Sequence, residues 1–209
     1  APQRQIRYNP PSTAAEGDIA RAIELIAAAR APIFYTGGGV INSGPRAAEL
    51  LRQLQALTGA PVTSTLMGLG AFPADHPDWL GMLGMHGTYE ANMTMHHADV
   101  ILAIGARFDD RVTNNPKKFC PQAKVIHIDI DPATISKTIM AHIPIVGAVE
   151  PVLVEMLAQL KQMGVNKPNP DALATWWQQI NQWRAHHGLR YEPAKPDGEM
   201  KPQQVVEML

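Results

Sequence analysis

The feature that most constrains the fold is a set of short apolar runs without alternation between apolar and polar residues. Segments with helical periodicity separate many of these runs, which are PIFYT (32–36), PVTST (61–65), DVILAIG (99–105), KVIHIDID (124–131) and IPIVG (143–147). Strands without polar alternation are covered on both faces. When helices separate them, the economical arrangement is a parallel sheet between helices. With a further strand end expected at LGMLG (80–84), the sequence predicts an α/β fold: a doubly wound, mostly parallel six-stranded sheet with helices on both faces.

Four segments carry the periodicity of helices with one apolar face. They run from Asp18 to Arg30, from Ser43 (a predicted cap) to Gly59, from about Glu150 to Gln162, and from Asp171 onward. Proline-rich stretches lie towards both ends of the chain. We therefore expect an interdomain linker at 1–16, a central domain at 17–164, and a C-terminal helix and connector at 165–209, as in the middle piece of a longer polypeptide.

Charge and apolar content exclude several classes of partner. The formal net charge is -1, so the chain lacks the surplus of basic residues that would indicate nucleic acid binding. Apolar runs are far shorter than the roughly 20 residues that span a bilayer, and the N-terminus lacks an apolar secretory core, which predicts a cytoplasmic protein. The single Cys120 cannot form an internal disulfide and is interpreted as structural or incidental.

Ligands bind an open parallel sheet beyond the carboxyl ends of its strands. Gly37, Gly38 and Gly39 follow the first run, where they would leave backbone donors free for a phosphate or a sugar. The dinucleotide fingerprint G-x-G-x-x-G would need glycine at position 42, which is Asn42. The alternative is that the three glycines only form a tight turn.

Two further strand ends suit an apolar ring. Met67, in TSTLMGLGAF, could form the face of a flat ligand site, or it could fill a core loop. Gly84, His86 and Gly87 bring backbone and an imidazole to the same side. A lone histidine is also common as a hydrogen-bonded structural residue, so His86 is not chosen as a base.

Charged residues are found at the fourth and fifth strand ends. A buried strand is followed by Arg107, Asp109, Asp110 and Arg111, which requires water, a salt-bridge network or an anionic ligand. A solvated surface network is the alternative. Asp129, at the end of another strand, is placed to accept hydrogen bonds from ribose hydroxyls, whereas Asp131 before a proline can cap the next helix. Together the strand ends predict a dinucleotide bound in extended form.

Motifs of other reaction classes are absent from the sequence. It contains no G-x-x-x-x-G-K-[ST], no G-x-S-x-G and no H-E-x-x-H, and His96 and His97 are adjacent rather than four residues apart. A P-loop enzyme, a serine hydrolase of the elbow type and a zinc protease are therefore not indicated.

Longer segments resemble a known family. TSTLMGLGAFP, LGMLGMHGTYEANMTMHHADVILAIGARFDDRVT, VIHIDIDPATISK and IPIVG are similar to the central domain of the large catalytic subunits of acetohydroxyacid (acetolactate) synthases, above all bacterial ones. The resemblance covers about residues 17–209. It implies a DHS-like NAD/FAD-binding domain in a three-domain enzyme. That enzyme joins two 2-oxo acids (pyruvate with pyruvate or 2-oxobutyrate), with release of carbon dioxide, in valine, leucine and isoleucine biosynthesis.

The resemblance also implies a cofactor and its contacts. The family's central domain binds FAD, which takes no net redox part in the reaction. By matched motif, the contacts are Gly37, Gly38 and Gly39 with the ribityl and phosphate region, Thr65, Leu66, Met67, Gly84, Met85 and His86 with the flavin, Gly105, Ala106 and Arg107 with the pyrophosphate (Asp109 staying close by), and Asp129 and Ile130 with the adenosine end. Arg111 would bind the carboxylate of the second 2-oxo acid through paired hydrogen bonds. No metal site is implied in this chain.

The chain departs from the family pattern at two places. Gly147 and Ala148 stand where the family usually has Gly-Asp, and Thr134 stands where many members have Glu. Both lie towards the predicted adenine end of the cofactor.

The resemblance places thiamine diphosphate and Mg²⁺ outside this chain, since their binding residues come from a preceding and a following domain. We therefore expect the chain to be inactive alone, and the complete subunit to form a homo-oligomer with a regulatory small subunit. Two alternatives stay open: an NAD(P)-binding domain of an oxidoreductase or transhydrogenase, and a non-catalytic scaffold for subunit association.

Overall fold

The computed structural model describes residues 16–165, 169, 171–189, 191–194 and 198–209. The strands are β1 Pro32–Thr36, β2 Val62–Ser64, β3 Trp79–Met82, β4 Val100–Ile104, β5 Lys124–Asp129 and β6 Ile143–Val146. The helices are α1 Glu16–Ala28, α2 Gly38–Asn42, α3 Pro45–Thr58, α4 Tyr89–His97, α5 Asp110–Thr113, α6 Val149–Gln162, α7 Ala174–His187 and α8 Pro202–Met208, and Leu66–Gly68 forms a 3₁₀ turn. None of the described helices is long and apolar enough to cross a membrane.

The six strands form one sheet in the order β3-β2-β1-β4-β5-β6, and every neighbouring pair is parallel. This confirms the predicted doubly wound α/β fold. The strand order reverses between β1 and β4, which is the position where open parallel sheets bind ligands. Thr36 pairs with Ile104, and Ile104 pairs with Ile128. Because these end residues are in register, the segments after β1, β4 and β5 leave the sheet side by side.

Helices cover both faces of the sheet, and each face has its own apolar core. Phe34, Leu102 and Ile126 face the buried side chains of α1, α3 and α6. The alternate residues Tyr35 and Ile101 face the other side, where α4, α7 and residues 106–123 pack. Side chains on neighbouring positions of a strand point to opposite faces, so a strand buried on both sides must be apolar throughout.

Helix α7 belongs to the second core, although the predicted domain boundary at residue 164 precedes it. Ile180 is fully buried in this core. The indole N–H of Trp176 donates to the carbonyl of Pro32 at 3.1 Å, and that of Trp177 donates to the carbonyl of Gly59 at 2.9 Å. Arg184 donates to the carbonyls of Pro77 and Trp79. The predicted linker at 1–16 lies outside the described residues except for Glu16, which begins α1.

The ends of α3 show one prediction confirmed and one wrong. Gly59 ends the helix in the left-handed conformation with φ 68°, as predicted from its position. Ser43 does not cap the helix, because Gly44 occupies the N-cap position. The Ser43 hydroxyl instead donates to the carbonyl of Gly39 at 2.8 Å and so closes α2.

Candidate functional site

A cavity of about 410 Å³ lies at the carboxyl ends of β1, β4 and β5. Its volume falls within the range of small-molecule sites, roughly 300–1,000 Å³. It is lined by Gly38, Gly39, Asn42, Ser43, Thr65, Met67, Gly105, Ala106, Arg107, Asp109, Asp129, Ile130, Ala148 and Val149. The glycine turn after β1 (Gly37, Gly38 and Gly39) therefore lies on the same side of the molecule as Asp129 at the end of β5, at one cavity.

The glycine turn lies against the turn after β4. The N–H of Gly37 donates to the carbonyl of Ile104 at 3.0 Å, and that of Gly39 donates to the carbonyl of Gly105 at 2.9 Å. The prediction that the glycine N–H groups are free donors was therefore wrong for these two residues. Gly38 is different, because its N–H donates to no described residue. The glycines also begin the short helix α2 rather than a simple turn.

Arg107 and Asp109 line the cavity and form an ion pair. The guanidinium Nη2 is 3.0 Å from Asp109 Oδ2, and both side chains are mostly exposed. An exposed pair of this kind contributes little to stability, about 0–1 kcal/mol, so the guanidinium is available to an anion. The Arg107 carbonyl accepts a hydrogen bond from the Tyr35 hydroxyl. Burial, and secondly the Asp109 carboxylate, raise the pKa of Tyr35, so this phenol stays protonated and can donate.

Asp129 ends β5 with its carboxylate in the cavity wall. One carboxylate oxygen, Oδ1, accepts from the backbone N–H of Asp131 at 2.9 Å. The side chain is 13% exposed, so it reaches the cavity without being fully solvated. Asp131, the predicted alternative cap, accepts from the N–H of Ala133 at 2.9 Å and begins a run of turns rather than a helix.

The predicted flavin-side residues follow the neighbouring strands β2 and β3. Thr65 and Met67 line the cavity, whereas Leu66 lies outside its lining and is exposed. Gly84, Met85 and His86 also lie outside the cavity lining. Met85 and Leu66 are both mostly exposed, so this edge of the sheet presents an open apolar rim rather than an enclosed slot.

Arg111 lies beside that rim, in the short helix α5. The N–H of Met85 donates to the Arg111 carbonyl at 3.1 Å. A β-carbon on Gly84 would lie 2.8 Å from the same carbonyl oxygen, so this position requires glycine. The Arg111 side chain is exposed and forms no ion pair with a described residue. The structure therefore places Arg111 apart from the cavity and next to the segment 84–87.

Asn92 is a residue that the sequence analysis missed. Its Oδ1 accepts from the N–H of Gly84 at 3.1 Å, and its Nδ2 donates to the carbonyls of Gly84 and Thr88 at 3.0 and 2.9 Å. The side chain thus holds both ends of the turn that carries Met85. Its position in the quoted motif GMHGTYEAN was the one sign of this role in the sequence.

The cavity wall also includes residues outside the predicted set. Asn42 was considered only as the residue that breaks the dinucleotide fingerprint, and Ser43 only as a cap. Ala148, one of the two departures from the family pattern, lies in the wall at the N-cap of α6 and forms no side-chain cap. Thr134, the other departure, lies outside the lining, and its hydroxyl donates to the carbonyl of Asp131.

The described residues do not indicate a reactive cysteine or a metal centre. Burial raises the pKa of the Cys120 thiol, which keeps it protonated and unreactive. Among the described ranges, no three His, Cys, Asp or Glu side chains are grouped as ligands of one metal ion.

Comparison with known proteins identifies close relatives. Residues 19–156 match the family described as thiamine pyrophosphate enzyme, central domain. The chain is 53% identical over 202 residues to the acetolactate synthase isozyme 3 large subunit of Escherichia coli (strain K12), covering 97% of this chain and 34% of the relative. It is 50% identical over 200 residues to an acetolactate synthase large subunit of Haemophilus influenzae, covering 96% and 34%. A Mycobacterium tuberculosis acetolactate synthase large subunit is 46% identical over 202 residues, covering 97% and 32%. The chain thus spans about a third of the length of these relatives.

Proposed function

The chain belongs to the thiamine pyrophosphate enzymes as their central domain, and from that premise we propose that it is the FAD-binding middle domain of an acetolactate synthase large subunit. The complete subunit condenses pyruvate with pyruvate or with 2-oxobutyrate, with loss of carbon dioxide. Thiamine diphosphate and Mg²⁺ bind to other parts of that subunit, so the chain alone does not turn over substrate. The identity of about half the residues to three acetolactate synthase large subunits supports this assignment.

The observation that carries the proposal is the single cavity shared by Gly38, Arg107 and Asp129. These residues offer a backbone donor, a guanidinium and a carboxylate, and they lie at or just after the ends of the adjacent strands β1, β4 and β5. Arg107 binds the pyrophosphate, and Asp129 accepts from the adenosine ribose. FAD would have a structural role here, because the proposed reaction has no net redox change.

The flavin ring would extend beyond this cavity. We assign it to the rim formed by Leu66 and Met85, together with Met67 of the cavity lining; the side chains of all three residues are mostly exposed. Soluble proteins normally keep such a concentration of large apolar side chains covered by a ligand or a partner. Thioether groups adapt well to a flat aromatic ring, which supports this part of the assignment.

Arg111 is assigned to the carboxylate of the second 2-oxo acid. Its guanidinium is exposed and has no carboxylate partner among the described residues, so it can form the paired hydrogen bonds that a carboxylate prefers. The hydrogen bond from Met85 to the Arg111 backbone ties this residue to the flavin rim. Substrate carboxylate and cofactor would therefore be positioned by one local structure.

The partners and location of the complete enzyme follow from the same assignment. We propose a homo-oligomer of large subunits, joined by a regulatory small subunit, that acts in the cytoplasm on small 2-oxo acids. Similarity to the acetolactate synthase large subunits of Escherichia coli and Haemophilus influenzae supports this part of the proposal.

Titration of this chain with FAD tests the proposal. We expect saturable quenching of flavin fluorescence and a rise in melting temperature, because a ligand that binds only the folded state stabilises it. Arg107→Ala and Asp129→Asn should both weaken binding, whereas Arg21→Ala, which removes an exposed ion pair with Asp18 on α1, should not.

Titrations with NAD⁺ and NADP⁺ distinguish the alternative function. A preference for either over FAD would contradict the proposal and favour a nicotinamide-binding domain. Absence of any response up to high micromolar FAD would contradict cofactor binding by this chain.

A further inference from the structure

His127 is a buried histidine with no hydrogen-bond partner among the described residues. It lies in the middle of β5, and its side chain is 1% exposed. Neither Nδ1 nor Nε2 forms a hydrogen bond within the described ranges. The ring packs edge-on against Phe108, with ring centroids 5.2 Å apart. A buried polar group without a partner costs free energy, so a histidine at this position needs a reason beyond packing.

The carboxylate of Asp129 lies close to the His127 ring. Both residues lie on the same face of β5 because they are two positions apart in a strand. The distance from His127 Nε2 to Asp129 Oδ2 is 4.0 Å, which is about 1 Å too long for a hydrogen bond. The other oxygen, Oδ1, is already held by the N–H of Asp131. The oxygen that faces the histidine is therefore the one still available.

The ring is neutral but able to donate. Burial lowers the pKa of His127, against the opposing attraction of the Asp129 carboxylate and the Ala106 carbonyl. The Ala106 carbonyl favours the protonated ring without meeting the geometry of a hydrogen bond. A neutral imidazole carries one N–H, and the environment of the two nitrogens selects which one.

We propose that His127 is a positioning residue for Asp129, whose Oδ2 accepts a hydrogen bond from His127 Nε2–H when the adenosine ribose of FAD occupies the cavity. This inference rests on the proposed function. Rotation of a carboxylate about χ2 is soft, so a shift of about 1 Å is accessible. A bound nucleotide also removes the remaining water from Asp129, which strengthens a hydrogen bond to a charged acceptor. The histidine thus fixes the carboxylate in the orientation that receives the ribose hydroxyls.

A purely structural role makes a different prediction. If His127 only fills the core, an apolar residue of similar volume removes two unpaired polar atoms and leaves ligand binding unchanged. If His127 instead positions Asp129, an apolar replacement should leave the protein as stable or more stable while it weakens FAD binding. The informative substitution is therefore His127→Leu, with His127→Gln as the variant that keeps a donor near the position of Nε2.

The experiment measures the FAD dissociation constant and the free energy of unfolding in urea for each variant. For His127→Leu we expect stability equal to or above that of the wild type, and an FAD dissociation constant raised roughly ten- to a hundredfold, the usual worth of a hydrogen bond to a charged group. His127→Gln should recover most of the lost affinity. Ile126→Val, on the opposite face of β5, is the matched control and should lower stability without changing the dissociation constant.

A measurement on the wild type keeps the proposal testable if His127→Leu does not fold. In protein with isotopically labelled histidine, NMR follows the His127 ring nitrogens, assigned by their loss in His127→Gln. Saturation with FAD should produce the hydrogen-bonded Nε2–H form. An unchanged ring signal in the FAD-saturated protein would overturn the proposal.

The outcomes separate the inference from the proposed function. If the wild type binds FAD and His127→Leu binds it equally well, the positioning role is wrong while FAD binding stands. If the wild type binds no FAD, the proposed function fails and the positioning role fails with it.

Discussion

The backbone of Gly37 passes directly over the turn that follows β4. A β-carbon at this position would lie 2.2 Å from the Gly105 carbonyl oxygen and 2.5 Å from the Ala106 Cα. The φ angle of Gly37 is -126°, which any residue can adopt. The requirement for glycine is therefore steric, and it comes from the approach of two backbone segments below the cavity.

We expect Gly37→Ala to destabilise the protein by about 1–3 kcal/mol, the usual cost of overpacking against atoms that cannot move aside. The free energy of unfolding in urea measures this effect. Since β1 and β4 would be pushed apart at the cavity, FAD affinity should fall as well.

Gly17→Ala provides the matched control. Gly17 lies in the first turn of α1, and a β-carbon added there would meet no described atom within 4 Å apart from its chain neighbours and its own helix backbone. Alanine is the better helix former, so this variant should be unchanged or more stable by up to about 1 kcal/mol. Equal effects of the two substitutions would show that the contact between the two turns is not tight.

The role of a site residue could be predicted from the sequence where that residue lies at the carboxyl end of a predicted strand. Arg107, Asp109 and Asp129 were predicted in this way, and the structure brings all three to the cavity. Asn92 could not be found similarly, because its contacts with the backbone of Gly84 form only in the folded chain. The sequence does place His127 two positions before Asp129 in a predicted strand, but it does not show that the His127 ring nitrogens lack hydrogen-bond partners among the described residues. The glycines were only partly understood, since two of their N–H groups are used within the fold.

At the scale of the elements, the strands were easier to predict than the short helices. Continuous apolar runs identify β1, β4 and β5 because both faces of these strands are buried. Helix α4 was missed because its buried face includes the polar residues Glu90 and Thr94, which weaken its apolar periodicity. Its start is instead marked by Thr88, whose hydroxyl accepts from the N–H of Ala91. Helix α2 was missed because two glycines begin it.

Helix α7 gives a prediction at this scale. Ile180 is fully buried against the second face of the sheet, so Ile180→Ala should destabilise the protein by about 2–5 kcal/mol. Gln178→Ala changes an exposed residue of the same helix and should alter stability by less than about 0.5 kcal/mol. Urea unfolding compares the two variants.

The difference in stability between Ile180→Ala and Gln178→Ala decides whether α7 belongs to the central domain. A large loss for Ile180→Ala alone would show that the domain extends beyond the family match, which ends at residue 156. Similar small losses for both variants would contradict the packing described here and favour a boundary near residue 164.

At the scale of the whole molecule, the parallel sheet explains why distant residues share one site. The segments after β1, β4 and β5 start from positions in register, so residues near 38, 107 and 129 meet at one edge. This convergence could be predicted from the alternation of strands and helices. The extent of the cavity could not, because it depends on how α2 and the start of α6 close over the strand ends.

The structure of this chain with bound FAD tests the central claim most directly. Our account predicts the adenosine ribose at Asp129, the pyrophosphate beside Arg107 and Gly38, and the flavin ring against Met67 and Met85. FAD bound away from the carboxyl ends of β1, β4 and β5, or in the reverse direction with the flavin at Asp129, would contradict it.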